Sequence, residues 1–155
     1  MMKRYRSILA CILALVTVFV VSCGSPEVSA PPTYTSIQLE QIQKYNTDIL
    51  ALRDRMTSEL QTIINKRKWF EVDTFIHGPL GTMLQEMNYL ISNLLPKEQP
   101  AARQLSKTFF NDLVKVGEAA EVGDQRLAQT SYEQALTDLD AFLELVPSPA
   151  VATDS

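Results

Sequence analysis

Apolar residues recur at intervals of three, four and seven along most of the chain, and this spacing restricts the fold more than any other feature of the sequence. Such spacing places the apolar side chains on one face of an α-helix. The first stretch repeats every seven residues, with further apolar residues between, and contains Ile42, Tyr45, Ile49, Leu52, Met56, Leu60 and Ile63. The second contains Ile76, Leu80, Met83, Met87, Leu90 and Leu94. The third contains Ala102, Leu105, Phe109, Leu113, Val116 and Ala120, and the fourth Ala128, Tyr132, Ala135, Leu139, Phe142 and Val146.

Residues that interrupt or cap helices separate these four stretches. The predicted helices cover about residues 36–68, 69–95, 100–122 and 125–146. Gly78-Pro79 predicts a kink or a short break within the second helix, because proline lacks the N–H of the helical ladder. Gly123 suits the left-handed position after a helix, and Asp124 suits the cap of the next one. Short connections favour antiparallel neighbours, so the sequence predicts an all-α, four-helix up-down-up-down bundle over residues 36–147.

The N-terminal residues have the pattern of a lipoprotein signal peptide. Lys3, Arg4 and Arg6 precede an uncharged, mostly apolar run at residues 7–21, which is short for a spanning helix. The run ends in residues 20–23 (VVSC), which resemble the bacterial lipobox. We therefore predict a signal peptide at 1–22 and a lipidated Cys23, with an uncleaved anchor as the alternative. Residues 23–35 are predicted to be a flexible spacer, and 148–155 a mobile tail.

Net charge and cysteine content restrict the function further. Without Lys3, Arg4 and Arg6, 11 of the 14 basic residues remain against 18 acidic residues, a net charge near −7. Binding of nucleic acid, or of an anionic bilayer through bulk charge, needs a basic face and is not expected. Cys11 and Cys23 are the two cysteines, so the predicted bundle has no disulfide or thiolate zinc site.

The sequence offers few groups for catalysis. Asp73 precedes His77, the one histidine, by four residues, so the pair could hold a metal ion from one side of a helix. Two ligands do not complete a site, and the alternative is that His77 packs or hydrogen-bonds at the Gly78-Pro79 break. No nucleophile elbow, phosphate-binding glycine loop or Glu-x-x-His pair occurs, so we expect no enzyme and no cofactor of its own.

One basic and aromatic cluster is a candidate contact with a partner. Lys66, Arg67 and Lys68 precede Trp69 and Phe70. The alternative is a helix C-terminus whose cations lie near the negative end of the helix dipole, followed by core aromatic residues.

The chain resembles the cyanobacterial PsbQ (CyanoQ) family. The resemblance rests on the lipobox, Trp69, residues 75–81 (FIHGPLG), 94–97 (LLPK) and 132–143 (YEQALTDLDAFL), in this order. It implies a non-catalytic extrinsic subunit of photosystem II, lipid-anchored on the lumenal side of the thylakoid membrane. Such a subunit contacts other lumenal subunits, stabilises the oxygen-evolving complex and helps retain calcium and chloride at its manganese cluster. The alternatives are a thylakoid or periplasmic lipoprotein bundle that binds a metal, or an envelope adaptor.

Overall fold

The computed structural model describes residues 33–148, in which α-helices form four rods. Rod 1 contains α1 (Ser36–Arg55), a π-helical segment (Met56–Leu60) and α2 (Gln61–Asn65). Rod 2 contains α3 (Trp69–His77) and α4 (Pro79–Asn93), rod 3 is α5 (Gln99–Val122), and rod 4 is α6 (Gln125–Glu144). The described residues include no strand, and the predicted all-α bundle is confirmed.

Each rod runs antiparallel to its two neighbours. Rods 1 and 3 both pack against rods 2 and 4. The Arg53 Nε donates to the Asp140 carboxylate over 2.6 Å, and the Gln129 amide donates to the Asn65 side chain over 2.8 Å. These pairs join the middle of rod 1 to late rod 4, and the end of rod 1 to early rod 4. The order is therefore up-down-up-down.

Local sequence signals fix most of the helix ends. Thr35 and Gln38 form a capping box at the start of α1. The Asp124 carboxylate accepts the backbone N–H of Leu127 at the start of α6, over 3.0 Å. Gly123 has φ 72° and ends α5 in the left-handed conformation. The caps at Gly123 and Asp124 match the predictions, although rod 1 ends at Asn65 rather than near 68 and α6 ends at Glu144 rather than near 146.

The predicted apolar seams form one core. Its largest fully buried side chains are Phe109, Phe142, Ile42, Ile49, Met56, Leu60, Ile64, Leu80, Met83, Met87, Leu90 and Ile91. Five other predicted seam residues are half-buried and pack against this core: Tyr45, Leu52, Ile76, Leu105 and Val146. Val72 and Phe75 are buried in α3.

The π-helical segment corrects one predicted core position. The Gln61 N–H donates to the Met56 carbonyl five residues back, and the Tyr132 hydroxyl donates to the same oxygen over 3.0 Å. A π-turn takes one residue more than an α-turn, so it shifts the phase of every residue after it. Ile63, predicted in the seam, therefore lies at the edge of the core and is half-buried, and Ile64 occupies the fully buried position.

The helix break predicted at Gly78-Pro79 is confirmed. α3 ends at His77, and Pro79 begins α4, where its missing N–H leaves no helical bond unmade. A Cβ on Gly78 would lie 2.9 Å from the Thr74 carbonyl oxygen, so this position accepts no larger residue without a backbone shift. The break turns rod 2 while keeping Phe75 and Leu80 in the core.

The end of the bundle at which α1 begins, called here the entry end, is closed by side chains. The Tyr34 hydroxyl donates to the Glu98 carboxylate and accepts the Leu95 N–H over 3.2 Å. The Gln43 amide donates to the Pro147 carbonyl over 2.8 Å. Among residues 33–148, no helix is both long and apolar enough to span a membrane.

Candidate docking surface at the loop end

The connection between rods 1 and 2 forms a tight hydrogen-bonded turn. The Arg67 N–H donates to the Ile64 carbonyl and the Lys68 N–H to the Ile63 carbonyl, each over 3.0 Å. Arg67 has φ 54°, the left-handed conformation that glycine adopts most readily. The pattern is a Schellman motif with arginine at the position where glycine is usual.

The connection between rods 3 and 4 repeats this motif with glycine. The Gly123 N–H donates to the Ala120 carbonyl over 3.2 Å, and the Asp124 N–H to the Ala119 carbonyl over 2.8 Å. Because rods 1 and 3 point the same way, both connections lie at one end of the bundle, which we call the loop end. It is opposite the entry end, about 45 Å away at 1.5 Å per residue of rod 1.

Side chains tie the two connections of the loop end together. Arg67 donates from its Nε to the Gln125 side-chain oxygen. The Gln125 amide reaches the Asn65 carbonyl over 3.4 Å, and Gln129 bonds the Asn65 side chain. The left-handed Arg67 is thereby held against rod 4, and its guanidinium has a fixed place at the surface.

Trp69 and Phe70 begin α3 and point in different directions. Trp69 is half-buried against the core, with its indole Nε1 3.5 Å from where a Cβ on Gly123 would stand. Phe70 is 83% exposed. Trp69 therefore packs against the core, as the alternative interpretation of the cluster predicted. Phe70 is a surface aromatic residue, as a contact with a partner requires.

Other apolar side chains are exposed at the same end. Val122, the last residue of α5, is 79% exposed, and Leu127 in the first turn of α6 is also exposed. Sequence reasoning did not identify Val122 and Leu127 as surface residues, whereas Phe70 was part of the basic and aromatic cluster proposed as a contact. Phe70 also falls outside the seven-residue spacing that joins Trp69, Ile76 and Met83.

Cations surround these apolar residues. Lys68 pairs with Glu71 over 2.7 Å. Lys66 and Arg126 make no ion pair with any described residue. With Arg67, four of the 11 basic residues outside the signal segment lie at the loop end, beside the carboxylates of Glu71, Glu121 and Asp124. Aromatic and arginine side chains are the residues that most often anchor protein interfaces.

Two clefts flank Phe70. One, of about 430 Å³, lies between α3 and α5 and is lined by Trp69, Phe70, Asp73, Gly117, Ala120 and Glu121. The other, of about 330 Å³, lies between rods 1 and 2 and is lined by Arg55, Glu59, Ile63, Phe70, Glu71, Thr74, Phe75 and Pro79. Phe70 thus lies between two clefts, so a partner surface can contact its ring from both sides.

Comparison with known proteins assigns the family. The family model for PsbQ, described as oxygen evolving enhancer protein 3, matches residues 3–147. A relative from Synechocystis sp. strain PCC 6803, named CyanoQ, is 42% identical over 146 residues, which cover 94% of this chain and 98% of that protein. The chain belongs to the PsbQ family. Membership confirms the resemblance and makes the chain an extrinsic, oxygen-evolving enhancer subunit associated with photosystem II.

The sequence-predicted metal pair of this PsbQ-family chain is brought together on the surface. His77 Nδ1 lies 3.1 Å from an Asp73 carboxylate oxygen and 3.0 Å from the Asp73 carbonyl oxygen. Both side chains are exposed. Within residues 33–148, no group of three or more His, Cys, Asp or Glu side chains is placed to hold a metal ion. His77 Nδ1 therefore lies within hydrogen-bonding distance of Asp73 on its own helix, and metal binding by this pair stays a prediction.

Cys23 lies outside the described residues, as do the signal peptide at 1–22, most of the spacer at 23–35 and nearly all of the tail at 148–155. Lipidation of Cys23 in this PsbQ-family chain stays a prediction from the lipobox.

Proposed function

We propose that the chain acts without catalysis on the lumenal side of photosystem II, where it stabilises the oxygen-evolving complex and helps retain calcium and chloride. The observation that carries the proposal is the family match, which extends over all four rods. A rigid bundle can cover neighbouring subunits and slow the loss of ions. It does so by blocking their exit, and it needs no redox or acid–base group of its own.

The lipid on Cys23 is the second part of the proposal. Two or more acyl chains give stable membrane attachment, whereas one chain binds only marginally. A lipidated Cys23 would raise the local concentration of the bundle near its partner without adding a contact. Mass spectrometry of the mature N-terminus tests this: we expect a start at an acylated Cys23, and loss of both acylation and cleavage in Cys23→Ser. A mature chain that starts elsewhere, or carries a free thiol, contradicts it.

The third part concerns the docking surface, defined as Lys66, Arg67, Lys68, Trp69 and Phe70. An exposed aromatic residue between clefts is suited to bury its ring in a partner, and truncation of such an anchor commonly costs tenfold or more in affinity. The cations beside it favour an acidic partner surface.

Co-purification with oxygen-evolving photosystem II tests the docking surface. We expect Phe70→Ala to lower the retained amount of the chain, most clearly in a soluble version without residues 1–23, which carries neither the signal segment nor the lipid. Ile37→Ala is the matched control, because Ile37 is 71% exposed at the entry end. Equal retention of the two variants contradicts docking through Phe70, and absence of the parent chain from the complex contradicts the proposed function itself.

A further inference from the structure

The bundle is unevenly packed, and it leaves a groove far from the docking surface. Rod 3 packs much more extensively against rod 4 than against rod 2. Between α4 and α5 an open groove of about 280 Å³ remains, lined by Leu84, Asn88, Ile91, Arg103, Ser106, Lys107, Phe110 and Asn111. This volume is just below the range of small-molecule sites, roughly 300–1,000 Å³, and suits a few side chains better than a cofactor.

Apolar side chains form the floor of the groove. Leu84 and Ile91 come from α4, and Phe110 comes from α5. The Phe110 ring packs edge-on against the buried Phe109, with 4.7 Å between ring centroids, so its position is fixed from below. Leu84 is 42% exposed, so part of this apolar floor remains accessible to a ligand.

Two cations stand on the α5 wall without a carboxylate partner. Arg103 and Lys107 are four residues apart, one helical turn, and neither makes an ion pair with any residue between 33 and 148. Arg103 donates one N–H to the Gln99 side chain over 3.1 Å, which leaves most of its donors available. In contrast, Arg53 and Lys115 in the same domain are paired with Asp140 and Asp112.

Two side-chain amides complete the rim. Asn88 lies on α4 and Asn111 on α5, and the side chain of neither makes a hydrogen bond to any other described residue. An amide offers both a donor and an acceptor, which matches the N–H and C=O groups of a peptide backbone. A lipid acyl chain would need an unbroken apolar lining, which these amides and Ser106 interrupt.

We infer that the groove between α4 and α5 binds an acidic, partly apolar peptide segment of a partner protein. Carboxylates of the segment pair with Arg103 and Lys107, and its apolar side chains rest on Leu84 and Phe110. Side chains one turn apart on a helix are about 5–6 Å apart, close to the roughly 6.6 Å between alternate residues of an extended chain. A segment with two carboxylates at alternate positions therefore reaches both cations. This inference goes beyond the proposed function, because it neither uses the docking surface nor requires a particular partner.

Site-specific photo-cross-linking in the full chain, within the membranes where it acts, tests the inference. The photoreactive residue p-benzoylphenylalanine is placed at Leu84 in the groove and, as the control, at Val114, which is 56% exposed on α5 and lies outside the groove lining. Cross-linked peptides are sequenced by mass spectrometry. We expect the Leu84 position to capture one protein segment that contains at least two Asp or Glu residues, and the Val114 position not to capture it.

The charge variant Arg103→Gln with Lys107→Gln supplies the second measurement. Both side chains are exposed, so the variant is expected to keep the parent's thermal unfolding curve. It should lower the Leu84 cross-link about tenfold or more, because two charge-assisted contacts are lost. Capture of lipid, of a neutral or basic segment, or equal capture by Leu84, Val114 and the charge variant overturns the inference. None of these results affects co-purification with photosystem II through Phe70, so the failure of one proposal is distinguishable from the failure of the other.

Discussion

Arg67 adopts a backbone conformation that suits glycine, at a position where its side chain also bonds rod 4. A non-glycine residue pays about 1–2 kcal/mol in the left-handed region, and Arg67 has φ 54°. Replacement by glycine and replacement by alanine both remove the guanidinium contact to Gln125. We therefore expect Arg67→Gly to be more stable than Arg67→Ala by about 1 kcal/mol, measured as the free energy of unfolding in urea. Equal stabilities would mean that the backbone at this position is unstrained.

Two tyrosines are expected to make the folding stability of the domain fall at alkaline pH. Burial raises the pKa of Tyr132 from 10.0 to about 12, and burial together with the Glu98 hydrogen bond raises the pKa of Tyr34 to about 12. The folded state thus keeps protons that the unfolded chain loses above pH 10, so stability should fall as the pH rises from about 10 to about 12.

Thermal unfolding across this pH range tests the effect. The fall in stability should be shallower in Tyr34→Phe with Tyr132→Phe, because these phenylalanines cannot ionise. At neutral pH, Tyr132→Phe alone should cost about 1 kcal/mol through the lost hydrogen bond to Met56. A double variant with the parent's alkaline slope would contradict the role of these two hydroxyls.

Within the elements, the π-helical segment decides which of two adjacent isoleucines is in the core. Ile64 is 1% exposed, whereas Ile63 is half-buried. Ile64→Ala should cost about 2–5 kcal/mol of unfolding free energy, and Ile63→Ala clearly less, since truncation cost follows burial. The pair is its own control, because residue type and helix are the same. A larger cost at Ile63 than at Ile64 would mean that the seven-residue repeat continues without a break, and it would contradict the π-helical segment.

Local signals in the sequence predicted most of the elements, because their causes lie within a few residues. Gly123 and Asp124 act on neighbouring backbone groups, and Pro79 breaks the helix through its own missing N–H. The π-helical segment could not be found this way: Met56 and Ile63 are both apolar, and the hydroxyl that bonds the Met56 carbonyl comes from Tyr132, 76 residues later.

The candidate site was predicted in part. The sequence located the cations, Trp69 and Phe70, and the structure showed that Phe70 is the exposed aromatic residue and added Val122 and Leu127. The connection between rods 1 and 2 lies at the same end as the connection between rods 3 and 4, and this placement depends on the topology of the whole bundle. The groove with Arg103 and Lys107 had no signal in the sequence, because it arises from unequal packing between rods and from the absence of a partner carboxylate across the bundle.

At the scale of the whole molecule, the two ends of the bundle carry different features. The entry end, where Tyr34 bonds Glu98, leads to the segment that carries Cys23. The loop end carries Phe70 and most of the clustered cations, about 45 Å away along rod 1. Under the proposed lipidation of Cys23, the chain would join the lipid to the end of the bundle opposite the proposed docking surface.

Oxygen evolution in a strain that lacks this chain tests the proposed function most directly. A covering subunit slows ion loss and does not lower a chemical barrier, so the rate should match the parent strain when calcium and chloride are plentiful. When either ion is depleted, the rate should fall further than in the parent, and expression of the full chain should restore it. Equal rates in the two strains under both conditions would contradict the account.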